Sequence, residues 1–174
     1  MLWLVRHGKS SAGFSEALDP DLSELGHSQA EEFARSFSMG PAAIVTSPLW
    51  RARSTAAPLA RSWCIEPRVV PVLSEIPTPD FANIAARRPW LDAIMKSRYS
   101  EQPETVRAWR EDLAAFALSL VEDTVGFTHF LTINALISVS AGADEIVELD
   151  DIPYCAAFAF EIVNGAIRPP NRVA

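Results

Sequence analysis

The tripeptide Arg6-His7-Gly8 is the first place where the sequence offers chemistry. A neutral histidine nitrogen can attack phosphorus in line with its leaving group, and an adjacent guanidinium can neutralise the phosphoryl oxygens. Glycine has no Cβ, so its backbone can approach a bound anion closely. An isolated tripeptide of this kind is more often a histidine that caps a strand end, so the interpretation of His7 as a nucleophile depends on further residues.

The elements that must position these residues alternate between strands and helices. Short apolar runs that end in turn residues predict strands at residues 2–5, 42–46, 69–73, 127–133 and 154–163. Helical spacing or alanine-rich composition predicts helices at residues 25–39, 49–63, 104–122 and from 135 to 141, with an irregular helix over 81–99. This alternation predicts a layered α/β domain, in which functional groups commonly lie at strand ends.

Length and charge limit the classes of protein to consider. The 174 residues suit one domain, spanning residues 1–174. A formal charge of -7 argues against a nucleic-acid partner, because no general basic field is present. The apolar runs are far shorter than the roughly 20 residues of a membrane-spanning helix, and Met1 leads directly into a strand, so we expect no membrane partner and a cytoplasmic location.

The two cysteines, Cys64 and Cys155, show neither a CxxC motif nor the ligand spacing of a zinc site. We therefore predict no disulfide and no metal site. Both cysteines lie in apolar surroundings, so we expect two buried free thiols.

Three segments carry a more specific signal than any single residue. They read LVRHGKS at residues 4–10, DLSELGHSQA at 21–30 and TSPLWRARSTA at 46–56. In this order they resemble three motifs of the histidine phosphatase superfamily, the phosphoglycerate mutase-like group. The second resembles the Leu-Thr-x-x-Gly-x-x-Gln-Ala helix start and the third the Ser-Pro-x-x-Arg-Ala-x-x-Thr-Ala segment of that family. The resemblance covers essentially the whole chain, is weakest between residues 76 and 103, and implies a three-layer α/β/α fold with a central, mostly parallel sheet.

The resemblance also assigns roles to individual residues. It implies that His7 is phosphorylated in a covalent intermediate and that Arg6 and Arg51 clamp the transferred group. Glu75, in the loop after the third predicted strand, would protonate the leaving oxygen and later accept a proton from the attacking water. Ser10 could add a hydroxyl donor for phosphate, although an ordinary turn serine explains it equally well. Asp80 is the alternative acid, and Gly8 belongs to the phosphate-binding set.

The sequence departs from the family at the second histidine, which normally ends a late strand and helps to bind the phosphoryl group. Asn134 stands at that position, and its amide can donate a hydrogen bond but cannot carry a positive charge. His129 lies five residues earlier, roughly 16 Å away in a strand at about 3.3 Å per residue, so we expect it not to reach the pocket. Weakened catalysis is the resulting prediction. The alternative is a catalytically impaired member that binds phosphorylated ligands.

The resemblance implies hydrolysis of a phosphomonoester or a phosphorylated side chain, with no metal or organic cofactor, because two guanidinium groups supply the charge that a metal otherwise would. Short chains of this family favour hydrolysis over mutase activity, and the RHGKS start resembles the small phosphohistidine phosphatases. The partner would thus be a small phosphorylated substrate or a phosphoprotein. Residues 76–102, which include Arg87, Arg88 and Trp90, form either a lid that sets specificity or a plain helical insertion with a solvated basic face.

Overall fold

Alternating side chains of the first strand pack into two separate hydrophobic cores. Leu2 and Leu4 belong to one core, and Trp3 and Val5 belong to the other. Because successive side chains of a strand point to opposite faces, this division means that both faces of the sheet are covered. The computed structural model describes residues 1–173.

Within residues 1–173 the chain forms eight strands: β1 (Leu2–Arg6), β2 (Ala43–Thr46), β3 (Arg68–Val69), β4 (Thr124–Thr128), β5 (Ala157–Phe160), β6 (Ile162–Val163), β7 (Ala166–Ile167) and β8 (Asn171–Arg172). Six of them form one sheet in the order β3-β2-β4-β1-β5-β8, and β6 and β7 form a separate hairpin. The first four strands of that order pair in parallel, whereas β5 pairs antiparallel with β1 and β8 pairs antiparallel with β5. The predicted mostly parallel sheet is therefore confirmed.

Five α-helices cover the two faces of this sheet in the described residues: α1 (Glu24–Ser36), α2 (Trp50–Trp63), α3 (Arg87–Ile94), α4 (Glu104–Leu118) and α5 (Phe130–Ala141). Buried residues of α1 and α2 contribute to one core, and buried residues of α3, α4 and α5 contribute to the other. This is the three-layer α/β/α arrangement that the sequence predicts. Every helix within residues 1–173 is too short or too polar to cross a lipid bilayer.

The first helix begins where the sequence predicts because Ser23 caps it. The side chain of Ser23 accepts a hydrogen bond from the backbone N–H of Gly26 at 3.1 Å, which satisfies one of the free donors in the first turn. The N-terminus of α2 is capped by a residue that is distant in sequence, because the carboxylate of Asp19 accepts a hydrogen bond from the backbone N–H of Trp50 at 2.8 Å. Asp19 thereby ties the loop of residues 10–22 to α2.

The prediction of a strand over residues 127–133 is wrong. The strand ends at Thr128, and α5 begins at Phe130. Residues 131–138 are all buried, so this helix has no polar face and shows no helical period in its sequence.

Three smaller predictions also differ from the structure. Only Arg68–Val69 is extended in the third predicted strand, and Pro71–Leu73 forms a 3-10 turn. The predicted strand 154–163 divides into β5 and β6. Cys155 is buried as expected. Cys64 is exposed, because it is the C-cap residue of α2 and has a left-handed backbone conformation there.

Candidate active site

Three strand ends bring the polar residues of the site together. His7 follows β1, Ser47 follows β2 and His129 follows β4, and these strands are neighbours in the sheet. Backbone hydrogen bonds continue the sheet into the site, from His7 N–H to the Thr128 carbonyl and from Ser47 N–H to the Phe127 carbonyl, each at 2.9 Å. The candidate site thus lies at the carboxyl edge of parallel strands, where α/β folds commonly bind ligands.

The orientation and tautomer of the His7 ring are fixed by two hydrogen bonds. The ring is buried, and its Nδ1 donates to the carbonyl oxygen of Gly8 at 2.7 Å. Because a carbonyl oxygen can only accept, Nδ1 carries the proton and Nε2 carries the lone pair. The Nε of Arg51 donates to this Nε2 at 3.2 Å. Nε2 is therefore the nitrogen that is available as a nucleophile.

Burial keeps the His7 imidazole neutral. Removal from water, aided by the positive charge of Arg51, lowers the pKa of His7 to about 3. The ring is consequently neutral at neutral pH, with its one proton on Nδ1. A protonated imidazole has no lone pair at Nε2, so this shift favours the nucleophilic form.

Two guanidinium groups flank the His7 ring. Arg51 lies in the first turn of α2 and is buried, and its Nη1 is 3.9 Å from a carboxylate oxygen of Asp19. Arg6 donates to the backbone carbonyl of Ile152 and lies over the ring of Tyr154, with its Cζ 4.3 Å from the ring centroid. Burial lowers the pKa of both arginines, but an arginine side chain keeps its charge in proteins.

Within the described residues, the Nε of Arg6 is a buried donor without a hydrogen-bond partner. The guanidinium is thus only partly satisfied by protein groups. A buried donor of this kind carries a desolvation cost that an anionic ligand would relieve.

Glu75 lines the same region from the loop before α3. Its Oε1 accepts from the backbone N–H of Leu131 at 3.2 Å and of Ile76 at 3.3 Å. Burial raises the pKa of this carboxyl group, although the charge of Arg51 opposes the shift. A carboxyl group that retains its proton to higher pH suits a proton donor.

One cavity of about 430 Å³ collects most of the residues that the sequence singled out. Its lining includes Arg6, His7, Ser10, Arg51 and Glu75. The hydroxyl of Ser10 donates to the carbonyl of Ala12 at 2.9 Å and so holds the turn that follows β1.

Two other cavities contain none of these five residues. Asp80, the alternative acid, lines a separate cavity of about 380 Å³ with Trp90. A larger one of about 650 Å³ lies between α2 and β3, away from the two histidines. Glu75 is therefore the better placed of the two candidate acids.

Gly8 has a different part from the predicted contact with an anion. It does not line the cavity, and a Cβ at this position would lie 2.7 Å from the carbonyl oxygen of Gly26. Its N–H donates to the hydroxyl of Thr55 at 3.0 Å. Gly8 is needed so that the turn after β1 can pack against the start of α1.

The assignment of Asn134 to the phosphate pocket is wrong. Asn134 is fully buried within α5, and its Oδ1 accepts from the backbone N–H groups of Glu148 and Leu149 at 2.9 and 2.8 Å. Its Nδ2 donates to the carbonyls of Phe130 and Leu149, each at 3.3 Å. These bonds fasten the chain after α5 to that helix, and Asn134 does not line the cavity.

His129, which the sequence predicted to lie out of reach of the pocket, lies beside His7. It occupies the N-cap position of α5, it is fully buried, and its ring centroid is 5.2 Å from that of His7. Its Nε2 forms a hydrogen bond with the hydroxyl of Ser47 at 2.8 Å. The predicted separation assumed an extended chain as far as residue 134, whereas the strand ends before His129.

His129 does not line the cavity, but it places a free polar atom next to His7. Its buried Nδ1 has no hydrogen-bond partner among residues 1–173. Burial and the charge of Arg51 lower the pKa of His129 well below its ordinary value. The arrangement therefore places two neutral imidazoles beside two guanidinium groups, and the guanidinium groups are suited to bind a phosphoryl dianion.

No group of three or more His, Cys, Asp and Glu side chains in the described chain is arranged to hold a metal ion.

Comparison with protein families gives one match over most of the chain. The family model for the histidine phosphatase superfamily (branch 1) matches residues 2–157. A PE-PGRS family protein of Mycobacterium tuberculosis is 37% identical over 87 residues, which cover 46% of this chain and 15% of that protein. The match thus spans a small part of the length of this relative.

Solved structures with the same fold include two phosphatases and a mutase. Phosphoserine phosphatase from Entamoeba histolytica, in complex with 3-phosphoglyceric acid, has a TM-score of 0.75 at 18% identity, with 99% of this chain and 94% of that chain covered. The mycobacterial glucosyl-3-phosphoglycerate phosphatase has a TM-score of 0.72 at 22% identity, with 98% and 95% covered. Phosphoglycerate mutase from Thermus thermophilus has a TM-score of 0.67 at 23% identity, with 99% and 98% covered. At these identities the likeness establishes the fold.

Proposed function

Because the chain belongs to the histidine phosphatase superfamily (branch 1), we propose that it is a phosphatase that hydrolyses a phosphomonoester or a phosphorylated side chain through a phosphohistidine on His7. The observation that carries this proposal is the Nε2 lone pair of His7, which lies beside the Arg51 guanidinium at 3.2 Å in a cavity shared with Glu75. A nucleophile, an anion clamp and an acid thus occupy one hollow.

The first step is binding of the phosphoryl group. Arg51 donates to the lone pair that must attack, so it has to exchange this hydrogen bond for one to a phosphoryl oxygen. Arg6 supplies a second guanidinium to the same cavity, and its unpartnered Nε is one donor that protein groups do not satisfy within residues 1–173. The negative charge of the substrate is met by these two forked donors.

The second step is transfer to His7. Nε2 forms a bond to phosphorus while the bond from phosphorus to the leaving oxygen breaks, and that oxygen takes its proton from Glu75. The hydrogen bond from Nδ1 to the Gly8 carbonyl keeps the ring in place and stabilises the positive charge that develops on the imidazole.

The third step regenerates the enzyme. Water loses a proton to the Glu75 carboxylate as its oxygen bonds to phosphorus, and the bond between phosphorus and Nε2 breaks. Inorganic phosphate leaves, and His7 is again neutral. In the tautomer whose Nε2 accepts from the Ser47 hydroxyl, the unpartnered Nδ1 of His129 carries a proton in the described structure, and this N–H is the further group that we assign to the phosphoryl oxygens during both transfers.

The test compares wild type, His7→Ala and His27→Ala with p-nitrophenyl phosphate as substrate. His27 is an exposed histidine on α1, so its replacement is the matched control. We expect His7→Ala to lower kcat by at least about 1,000-fold, because the covalent route is lost, and His27→Ala to leave kcat unchanged.

The covalent intermediate is tested separately. Brief mixing with substrate, followed by alkaline quenching, should trap a phosphate bound to His7 that mass spectrometry locates and that acid removes. Retention of full turnover by His7→Ala, or phosphate trapped on another residue, would contradict the proposed function. Release of inorganic phosphate, rather than an isomerised ester, distinguishes hydrolysis from mutase activity.

A further inference from the structure

The cavity that holds the candidate site is mostly apolar beyond its phosphate-binding groups. Apart from the five candidate residues, its lining contains two charged side chains, Arg88 and Asp150. The large apolar and aromatic side chains of the lining that are open to solvent at least in part, here called the apolar wall, are Phe14, Leu18, Leu91, Met95, Phe130 and Tyr154. Ligand sites in proteins are commonly built in this way, with a few polar groups set in an apolar surface.

The apolar wall is assembled from separate parts of the chain. Phe14 and Leu18 come from the loop before α1, Leu91 from α3 and Phe130 from the first residue of α5. Leu18 is 72% exposed and Tyr154 is 37% exposed, and the remaining members are half-buried. Apolar side chains that converge from several segments yet remain open to solvent indicate a binding surface.

Contacts between the loop and α3 hold two sides of this wall together. The guanidinium of Arg87 lies over the ring of Phe14, with its Cζ 3.9 Å from the ring centroid. The same group donates to the backbone carbonyl of Ala17 at 3.2 Å. Arg87 is buried by these contacts and does not line the cavity, and its positive charge lies near enough to lower the pKa of Arg51.

The charges in the lining argue against a second anionic group on the substrate. Arg88 is the one lining cation outside the phosphate clamp in the described chain, and its Nε pairs with Asp92 at 2.9 Å. Asp150 is also in the lining and would repel a carboxylate. The volume of about 430 Å³ lies within the range of about 300–1,000 Å³ of small-molecule sites, so the cavity has room for a leaving group beside the phosphoryl group.

We propose that the substrates of this site are phosphomonoesters of apolar alcohols or phenols, which carry no second anionic group and place their leaving group against the apolar wall. This inference rests on the phosphatase activity proposed above and adds the substrate class to it.

The test uses ethyl, butyl and hexyl phosphate as substrates. Their leaving alcohols have similar acidity, so differences in kcat/KM report on contacts of the chain rather than on the chemical step. We expect kcat/KM to rise about two- to fourfold for each added methylene, since full burial of one methylene corresponds to about fourfold. A kcat/KM that is independent of chain length, or a preference for O-phosphoserine over propyl phosphate, would overturn the inference.

Three variants locate the effect. Leu91→Asn and Met95→Asn each place an amide in the apolar wall, and we expect both to reduce the dependence on chain length. Leu118→Asn makes the matched change at an exposed position of α4 outside the cavity lining, and we expect it to keep the wild-type dependence. An equal loss in all three variants would overturn the assignment of the wall.

A binding measurement separates this inference from the proposed function. Ethyl-, butyl- and hexylphosphonate are not hydrolysed, so calorimetric titration of the wild-type protein reports on the wall without turnover. Tighter binding with chain length supports the inference, and equal binding of all three phosphonates contradicts it. Hydrolysis that is insensitive to His7→Ala contradicts the proposed function instead.

Discussion

Replacement of His129 by asparagine is expected to slow turnover by about 100- to 1,000-fold, which is the usual cost of losing one preorganised donor to a developing oxyanion. The His129 ring is fully buried 5.2 Å from that of His7, and its Nδ1 is unpartnered within the described residues. Asparagine is shorter than histidine, so its amide replaces only part of this interaction. The effect should appear in kcat, because the interaction strengthens as charge develops on the phosphoryl oxygens.

Replacement of Asn134 by alanine is expected to lower the free energy of unfolding and to leave kcat unchanged. The side chain of Asn134 accepts from two backbone N–H groups, those of Glu148 and Leu149, and its loss leaves both without this partner. Each unpaired buried donor costs about 1–3 kcal/mol, so the free energy of unfolding should fall by roughly 2–6 kcal/mol. The kcat of the folded fraction should stay near that of wild type, because Asn134 bonds only to the backbone of Phe130, Glu148 and Leu149 and to no candidate site residue.

The assay combines p-nitrophenyl phosphate hydrolysis with urea unfolding for both variants, and turnover is normalised to the folded fraction. Asn134→Asp is the milder companion if the alanine variant does not fold, because it keeps the oxygen that accepts from Glu148 and Leu149. A stable Asn134 variant with greatly reduced kcat, together with full activity in His129→Asn, would refute the structural assignment and restore the one that the sequence predicted.

Two further predictions concern the acid and the loop. Burial raises the pKa of Glu75, and proton donation stops as pH rises through that pKa, so kcat/KM for butyl phosphate should fall on the alkaline side. Glu75→Gln should be slow and should lack this alkaline decrease in kcat/KM. An unchanged pH profile in the variant would remove Glu75 from the mechanism. Asp19 lies 3.9 Å from Arg51 and competes with phosphate for its charge, so Asp19→Asn should tighten competitive inhibition by inorganic phosphate about fivefold, from about 1 kcal/mol for two charges 4 Å apart in water. Weaker inhibition would show that Asp19 instead holds Arg51 in its binding geometry.

The predicted site residues that the structure brings together lie on short segments with strong local signals. Arg6 and His7 follow a buried strand, and Arg51 lies in the first turn of a helix that begins shortly after another strand. Such strands pair in parallel, so their carboxyl ends meet at one edge whatever the details of the intervening loops.

The second histidine could not be predicted because periodicity cannot distinguish a fully buried helix from a buried strand. Residues 125–141 contain no Asp, Glu, Lys or Arg, and the break between β4 and α5 at His129 has no glycine or proline to mark it. One signal was present: an uncharged stretch of this length is too long for one typical strand of about 5–6 residues. Such a stretch must bend, and the polar pair Thr128 and His129 is where it does.

The cavity wall was beyond sequence reasoning for a different reason. Phe14 and Leu18 lie in an irregular loop, and no period indicates which way their side chains point. Their placement depends on long-range contacts, such as that between Phe14 and Arg87. Gly8 shows the same limit, since its close neighbour, Gly26, is distant in sequence.

A single physical cause shifts the pKa values of the proposed nucleophile and of the proposed acid in opposite directions. Burial disfavours the charged form of any group, so it lowers the pKa of His7 and raises that of Glu75. A neutral base and a protonated acid are the forms that the proposed first transfer requires, and burial shifts each side chain towards its required form. Folding bears the cost at opposite ends of the pH range. Between pH 6.5 and about 3 the unfolded chain binds a proton at His7 that the folded chain does not, so the contribution of His7 to stability falls as pH falls. For Glu75 the folded chain holds the extra proton as pH rises from 4.5 through the raised pKa, so its contribution to stability falls as pH rises. The same desolvation that favours the proposed reactive forms therefore lowers the free energy of unfolding. The hydrogen bonds from His7 to the Gly8 carbonyl and from the Leu131 N–H to Glu75 hold the two side chains in place against this cost.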